Sequence, residues 1–134
     1  MTTINDLQLL KIPIVEDTRG NLAFVQNDIL PFEMKRIYYL FDIPSTAFRG
    51  GHSHIFQHEI LIALSGSFEV SVNDGTQTKS YLLNKPNIGL HIPTGIWREL
   101  QNFSSGAVCL VIASDVFNDE DYIREYAKFL ESKK

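Results

Sequence analysis

The sequence predicts an all-β fold, a sandwich or barrel of antiparallel strands followed by one C-terminal α-helix, and three observations carry that expectation. Short β-type segments succeed one another with turn residues between them. One hairpin is written out in full, and the hydrophobic period lengthens from two to about 3.6 only in the tail.

The strands are expected at roughly 7–15, 21–26, 35–41, 59–64, 67–72, 76–83, 89–92, 97–103 and 107–113. The apolar "LQLLKIPIV" at the start reads as an edge strand that needs covering, which favours a homodimer. In "KRIYYLF", Arg36 and Tyr38 share one face, while Lys35, Ile37, Tyr39 and Phe41 share the other. "ILIAL" (60–64) and "VCLVIA" (108–113) are apolar on both faces, so these strands should be central or covered by a partner subunit. In "GSFEVSVNDGTQTKSYLL", Phe68, Val70 and Val72 alternate with Glu69 and Ser71, and Asn73-Asp74-Gly75 supplies the left-handed conformations of a tight turn. The tail "NDEDYIREYAKFLESKK" has Asn118 as a helix cap, three acidic residues at the positive end of the dipole, and Tyr122, Tyr126 and Phe129 at i, i+4, i+7. One amphipathic helix is expected there, packed outside through those three aromatics.

At 134 residues the chain reads as a single domain, 1–134, able to bury a core without disulfides or a structural metal. Any metal would therefore serve function. A formal net charge of −4 gives no general reason to expect a nucleic-acid or anionic-membrane partner, so a phosphate would have to be met by a few local arginines. The single cysteine, Cys109, lies inside an apolar run and suits a reducing cytoplasm. No signal-like N-terminus or membrane-spanning stretch is evident, and a soluble, cytoplasmic protein is expected.

The stretch "RGGHSHIFQHEILIALSG" (49–66) concentrates the chemistry. His52-x-His54-x4-Glu59-x6-Gly66 resembles the first motif of the cupin barrels, and "PTGIWRELQN" (93–102) resembles the second except that its histidine is Arg98. Two imidazoles and a carboxylate suit a divalent transition metal, yet Arg98 is a permanent cation that cannot ligate. In the cupin geometry Arg98 would pair with Glu59 where a metal would otherwise sit, and no metal is expected. Proton transfer is the competing chemistry, because histidine titrates near neutrality and residues i and i+2 share a face, so His52 and His54 point the same way if the segment is extended. His54 is open to either a catalytic or a hydrogen-bonded wall role. His58 reads as lying outside the pocket or at its rim, and His91 as a structural strand histidine.

Six stretches carry a closer likeness in family order: "DTRGNLAFVQ", "PFEMKRIYYLFDIP", "RGGHSH", "ALSGSFEVSVNDG", "IGLHIPTGIWREL" and "ASDVFNDEDYIREYAKF". Over nearly its whole length the chain resembles the nucleotide-sugar 3,4-ketoisomerases, WxcM-like cupins acting on dTDP-4-keto-6-deoxyglucose. The resemblance implies a cupin, RmlC-like jelly-roll β-barrel and a cofactor-free shift of the keto group from C4 to C3 in deoxysugar biosynthesis. The implied partner is a dTDP-linked keto-deoxyhexose. It further implies that His52 takes the C3 proton to give an enediol, with His54 and a tyrosine assisting. Tyr38 is chosen over Tyr39 because it lies on the more polar face. Arg19, in "DTRG", is carried over as a diphosphate contact from the related 3,5-epimerases, made within one chain or across a dimer, with Arg36 and Arg49 sharing the phosphate charge.

The family pattern has His-Ala-His-Lys where this chain has "HSHI", glutamine at position 59 and histidine at position 98. Glu59 and Arg98 are read as a compensating pair in the substrate pocket. Two other readings remain: a metal-dependent cupin enzyme, and a sugar-nucleotide binding module without turnover.

Overall fold

Alternation of apolar and polar side chains decides which faces turn inward, and two sheets result. A computed structural model describes residues 1–134. Its strands are β1 (Gln8–Lys11), β2 (Ile14–Val15), β3 (Leu22–Ala23), β4 (Arg36–Leu40), β5 (Arg49–His54), β6 (Glu59–Ser65), β7 (Phe68–Asn73), β8 (Thr78–Leu83), β9 (Ile88–Ile92), β10 (Trp97–Gln101), β11 (Val108–Ala113) and β12 (Tyr122–Ile123), with one helix, α1 (Tyr126–Ser132). One antiparallel sheet runs β1-β9-β6-β11-β4, the other β12-β5-β10-β7-β8, and β2-β3 forms a small ribbon.

Phe68, Val70 and Val72 of β7 and Leu100 of β10 pack with Leu61, Leu90, Cys109 and Val111 of the first sheet in one buried cluster, so the sheets lie face to face. The double-sided apolar strands β6 and β11 are interior to the first sheet, as expected. Their outward residues Ile60, Ile62 and Ile112 pack under Ile12, Val25, Leu30, Phe32 and Met34, so the chain's own segment supplies this second layer. The β7–β8 hairpin turns where its sequence says it should. Gly75 has φ +95°, and the Asp74 carboxylate accepts from the amides of Thr76 and Gln77.

Three expectations change. The first strand is two, β1 and β2, broken at Ile12-Pro13. Strand β5 was not among the expected segments, because "RGGHSH" has no apolar alternation; its inward side chains are polar and build a site. The tail also differs: Asn118 caps a short 3-10 turn at 119–121, Tyr122 and Ile123 pair with β5 as β12, and α1 begins only at Tyr126. The reason is a long-range anchor. The Asp121 carboxylate and carbonyl accept from the amides of Ile55 and Phe56, which holds the segment extended against β5. The helix still packs through a fully buried Phe129, with Tyr126 and Phe129 against Trp97. No helix is long and apolar enough to cross a membrane.

Candidate active site

Strand pairing brings the polar residues of both sheets together. On the second sheet His52 of β5 lies opposite Arg98 of β10, and Tyr122 of β12 lies opposite His54. Between the pairs Arg98↔His52 and Leu100↔Arg49, β5 takes three steps while β10 takes two, a bulge at Gly50-Gly51. Gly50 has φ +76°, and a Cβ there would come 2.9 Å from Leu100, so a side chain is excluded on two counts. From the first sheet come Arg36 and Tyr38 of β4 and Glu59 of β6.

At the floor, the Arg98 Nη1 donates to Glu59 Oε1 at 2.5 Å, and both residues are 1% exposed. Glu59 Oε2 accepts from Tyr38 Oη at 2.8 Å and Gln57 Nε2 at 2.7 Å. Burial favours protonation of Glu59, but Arg98, His54 and these hydrogen bonds outweigh it and hold the carboxyl below its ordinary range. Tyr38 is pushed well above the usual phenol range by burial and by Glu59, so it stays a hydroxyl. The Arg98 Nη2 is buried and has no hydrogen-bond partner; Arg98, His52, Tyr38 and Glu59 all line a chamber of about 30 Å³ beneath the main cleft.

The donor atoms of His52, His54 and Glu59 fall within 4.8 Å of one another, the arrangement expected of cupin metal ligands. They do not fit a metal ion here. One Glu59 oxygen is taken by the Arg98 guanidinium and the other by Tyr38 and Gln57, so a cation at this point would meet a fixed positive charge and a saturated carboxylate.

His52 Nε2 lies 3.1 Å from His54 Nε2, and His54 Nδ1 lies 2.8 Å from the Asp121 carboxylate. Burial, the guanidinium of Arg98, His54 and Arg124 lower the pKa of His52 to about 2. Burial and Arg98 likewise outweigh Glu59 and Asp121 at His54, whose pKa is lowered. Above the floor opens a cleft of about 420 Å³ whose wall carries Arg36, Arg49 and Arg124 with the aromatic faces of Tyr38, Phe117 and Tyr122. Arg36 stacks 4.8 Å over the Tyr38 ring and Arg124 4.3 Å over Tyr122.

A family model described as FdtA: WxcM-like, C-terminal matches residues 5–134. The chain belongs to this FdtA family. It is 40% identical over 114 residues to the TDP-4-oxo-6-deoxy-alpha-D-glucose-3,4-oxoisomerase of Aneurinibacillus thermoaerophilus, which covers 84% of this chain and 82% of that protein. Among solved structures it is similar to a 3,4-ketoisomerase from Helicobacter canadensis, with TM-score 0.93 and 45% identity over 96% of this chain and 97% of that one. It is also similar to a histidine-to-asparagine variant of the 3,4-ketoisomerase QdtA from Thermoanaerobacterium thermosaccharolyticum in complex with TDP-4-keto-6-deoxyglucose, with TM-score 0.95 and 33% identity over 98% and 96% of the two chains. A dTDP-4-dehydrorhamnose 3,5-epimerase from Bacillus anthracis shares the fold at 14% identity, with TM-score 0.78 over 91% of this chain and 79% of that one.

Of the residues expected in the site of this FdtA-family chain, His52, His54, Tyr38, Arg36, Arg49, Glu59 and Arg98 come together. Arg19 does not. It stands on an exposed turn, paired at 2.7 Å with Asp17, and is absent from the cleft wall. Tyr39 points away from the cleft and is 59% exposed. His58 and His91 contact each other at 3.1 Å beside Phe32, outside the cleft lining. Sequence reasoning missed Arg124, Tyr122 and Asp121, because a helix was expected to begin at Asn118, and it missed Phe117, which stands just ahead of that expected cap. The Tyr-Ile pair ahead of Arg124 was the available strand signal. Gln57 was missed too, although it lies two residues before Glu59.

Proposed function

We propose that the chain is a cofactor-free isomerase that converts dTDP-4-keto-6-deoxyglucose to the 3-keto isomer. The observation that carries this reading is a pair of touching, neutral histidines at the foot of an arginine-walled cleft, beside a buried guanidinium nitrogen with no protein partner. The names of its relatives give the substrate class.

The chemistry needs a base, donors for a developing oxyanion, and no external oxidant. Adjacent to a carbonyl, the C3 proton is acidic enough for an imidazole to remove, so His52 takes it and the electron pair passes into an enediolate with negative charge on the C4 oxygen. The free N–H of Arg98 Nη2 is suited to meet that oxygen at the cleft floor. Tyr38 Oη, already donating to Glu59, keeps lone pairs that can accept from a sugar hydroxyl. Protonation of the C4 oxygen gives the neutral enediol, and proton return to C4 with loss of the C3 hydroxyl proton completes the exchange, two protons leaving the sugar and two returning: C3 is oxidised as C4 is reduced. His54 supports His52 through their shared hydrogen bond.

Arg36, Arg49 and Arg124 are read as the diphosphate clamp, which overcomes an acidic chain by local placement. Part of what suppresses His52 is the charge of Arg124, so a bound diphosphate that neutralises Arg124 strengthens the base as it seats the substrate. Arg19 is read as reaching the cleft of a second copy. A homodimer is supported by the edge position of β1 and by exposed Ile37, Tyr39 and Phe41 on β4 and beyond. In the same reading residues 1–134 act as one domain, the two sheets make a jelly-roll barrel around the site, and the unpaired Cys109 suits the cytoplasm.

The test is His52→Asn against the parent, with steady-state turnover of dTDP-4-keto-6-deoxyglucose and calorimetric binding measured side by side. The variant is expected to lose turnover while retaining affinity, because asparagine keeps a hydrogen-bonding group but no base. Full activity in the variant removes His52 as the base.

A further inference from the structure

The hydrogen bonds behind the histidine pair fix where its protons sit. Asp121 is 5% exposed, and one carboxylate oxygen accepts from the amides of Ile55 and Phe56, at 3.0 and 2.5 Å. The other oxygen lies 2.8 Å from His54 Nδ1. An ionised carboxylate only accepts, so His54 Nδ1 must carry a proton. A neutral His54 then has a lone pair at Nε2, and the 3.1 Å contact is made only if His52 donates through its own Nε2. His52, neutral in turn, is left with its lone pair at Nδ1. Burial and Arg98 favour the neutral form of both rings, which closes this sequence of donors.

We propose that Asp121 is a positioning residue that, through His54, sets the tautomer of His52 and makes Nδ1 its basic atom. The relay also disperses charge. When Nδ1 takes a proton from carbon, His52 carries two, and the Nε2 proton can shift across to His54 Nε2. The imidazolium then lies on His54, between the carboxylates of Asp121 at 2.8 Å and Glu59 at 3.6 Å, while His52 is neutral again with its proton on Nδ1. No redox partner is involved; one proton moves along two rings. The kinetic part of this inference rests on His52 as the base, whereas the tautomer part stands on geometry alone.

The experiment is ¹⁵N NMR of histidine-labelled protein, without substrate, for the parent and Asp121→Asn. Asparagine keeps an oxygen for the Ile55 and Phe56 amides and so presents its NH2 to His54 Nδ1, which must become an acceptor. His54 then donates through Nε2, and His52 is forced to place its proton on Nδ1. The expected spectra show His54 Nδ1–H and His52 Nε2–H in the parent and the reverse in the variant. In step with that reversal, kcat should fall by about 10²- to 10⁴-fold, with substrate affinity within about threefold. Proton on His54 Nε2 in the parent overturns the proposal, and the parent spectrum decides this even if the variant does not fold. Reversed tautomers with unchanged kcat overturn the positioning role. The expected tautomers in a parent that turns over no ketosugar uphold the tautomer assignment and count against the proposed reaction instead.

Discussion

Removing the guanidinium from the cleft floor should be costly, and costly in a pH-dependent way. In Arg98→Ala, Glu59 keeps the donors Tyr38 and Gln57 on Oε2, but Oε1 loses its only partner inside a site where both residues are 1% exposed. Breaking a buried ion pair from one side costs about 3–5 kcal/mol, most of it the uncompensated charge left behind. At a urea dependence of roughly 2 kcal/mol per molar, the unfolding midpoint should drop by about 2 M. In the parent, Glu59 is held below its ordinary pKa, so the pair stabilises above the unfolded value and that contribution fades as pH falls. In the variant burial is no longer countered by Arg98, the folded pKa moves up, and stability is lost as pH rises through it. The gap between the two proteins should therefore narrow on acidification. Glu59→Gln with Arg98→Met removes both charges and should lie within about 1 kcal/mol of the parent. A loss below about 1 kcal/mol for Arg98→Ala, or a gap that does not change between about pH 7 and pH 5, refutes the buried-pair reasoning.

The histidines give a second pH dependence. His52 and His54 are held neutral in the fold but take up protons on unfolding below about pH 6.5, so stability should fall as pH drops from there, by at most about 1.4 kcal/mol per pH unit for each; flat chemical-denaturation midpoints across that window count against buried, neutral rings. Arg124→Ala should weaken TDP binding by about 10- to 100-fold in calorimetry, the range of one charge-assisted hydrogen bond, without altering the circular-dichroism spectrum. Arg19→Ala should weaken it similarly only by reaching a second copy's cleft, so unchanged affinity removes that role.

The two-layer β architecture was legible because "FEVSV" alternates while "ILIAL" and "VCLVIA" do not, and the period of two is a property of any half-buried strand. Tyr38 could be separated from Tyr39 on the same ground, since Arg36 marked its face as polar. The Glu59–Arg98 pair was readable as a charge exchange within a known motif spacing. The tail was not readable. Its helical periodicity included Tyr122, but the tie between Asp121 and the amides of Ile55 and Phe56 spans more than sixty residues of sequence, as the separations of 66 and 65 show. No local pattern reports such a contact. For the same reason the cleft's third arginine, Arg124, was hidden in a segment that looked like a solvated helix face, and β5 was hidden by His52 and His54, polar side chains whose ring nitrogens are met by each other and by Asp121.

The proposed reaction is tested most directly by incubating the parent protein with dTDP-4-keto-6-deoxyglucose in D2O and identifying the sugar by NMR. The expected product has its carbonyl at C3 and solvent deuterium on C4, as proton return to an enediol from exchangeable groups requires. Deuterium at C3 or C5 with the carbonyl still at C4 would mark an epimerase on the shared fold, and unlabelled, unchanged ketosugar would mark a binder; either result contradicts the isomerase.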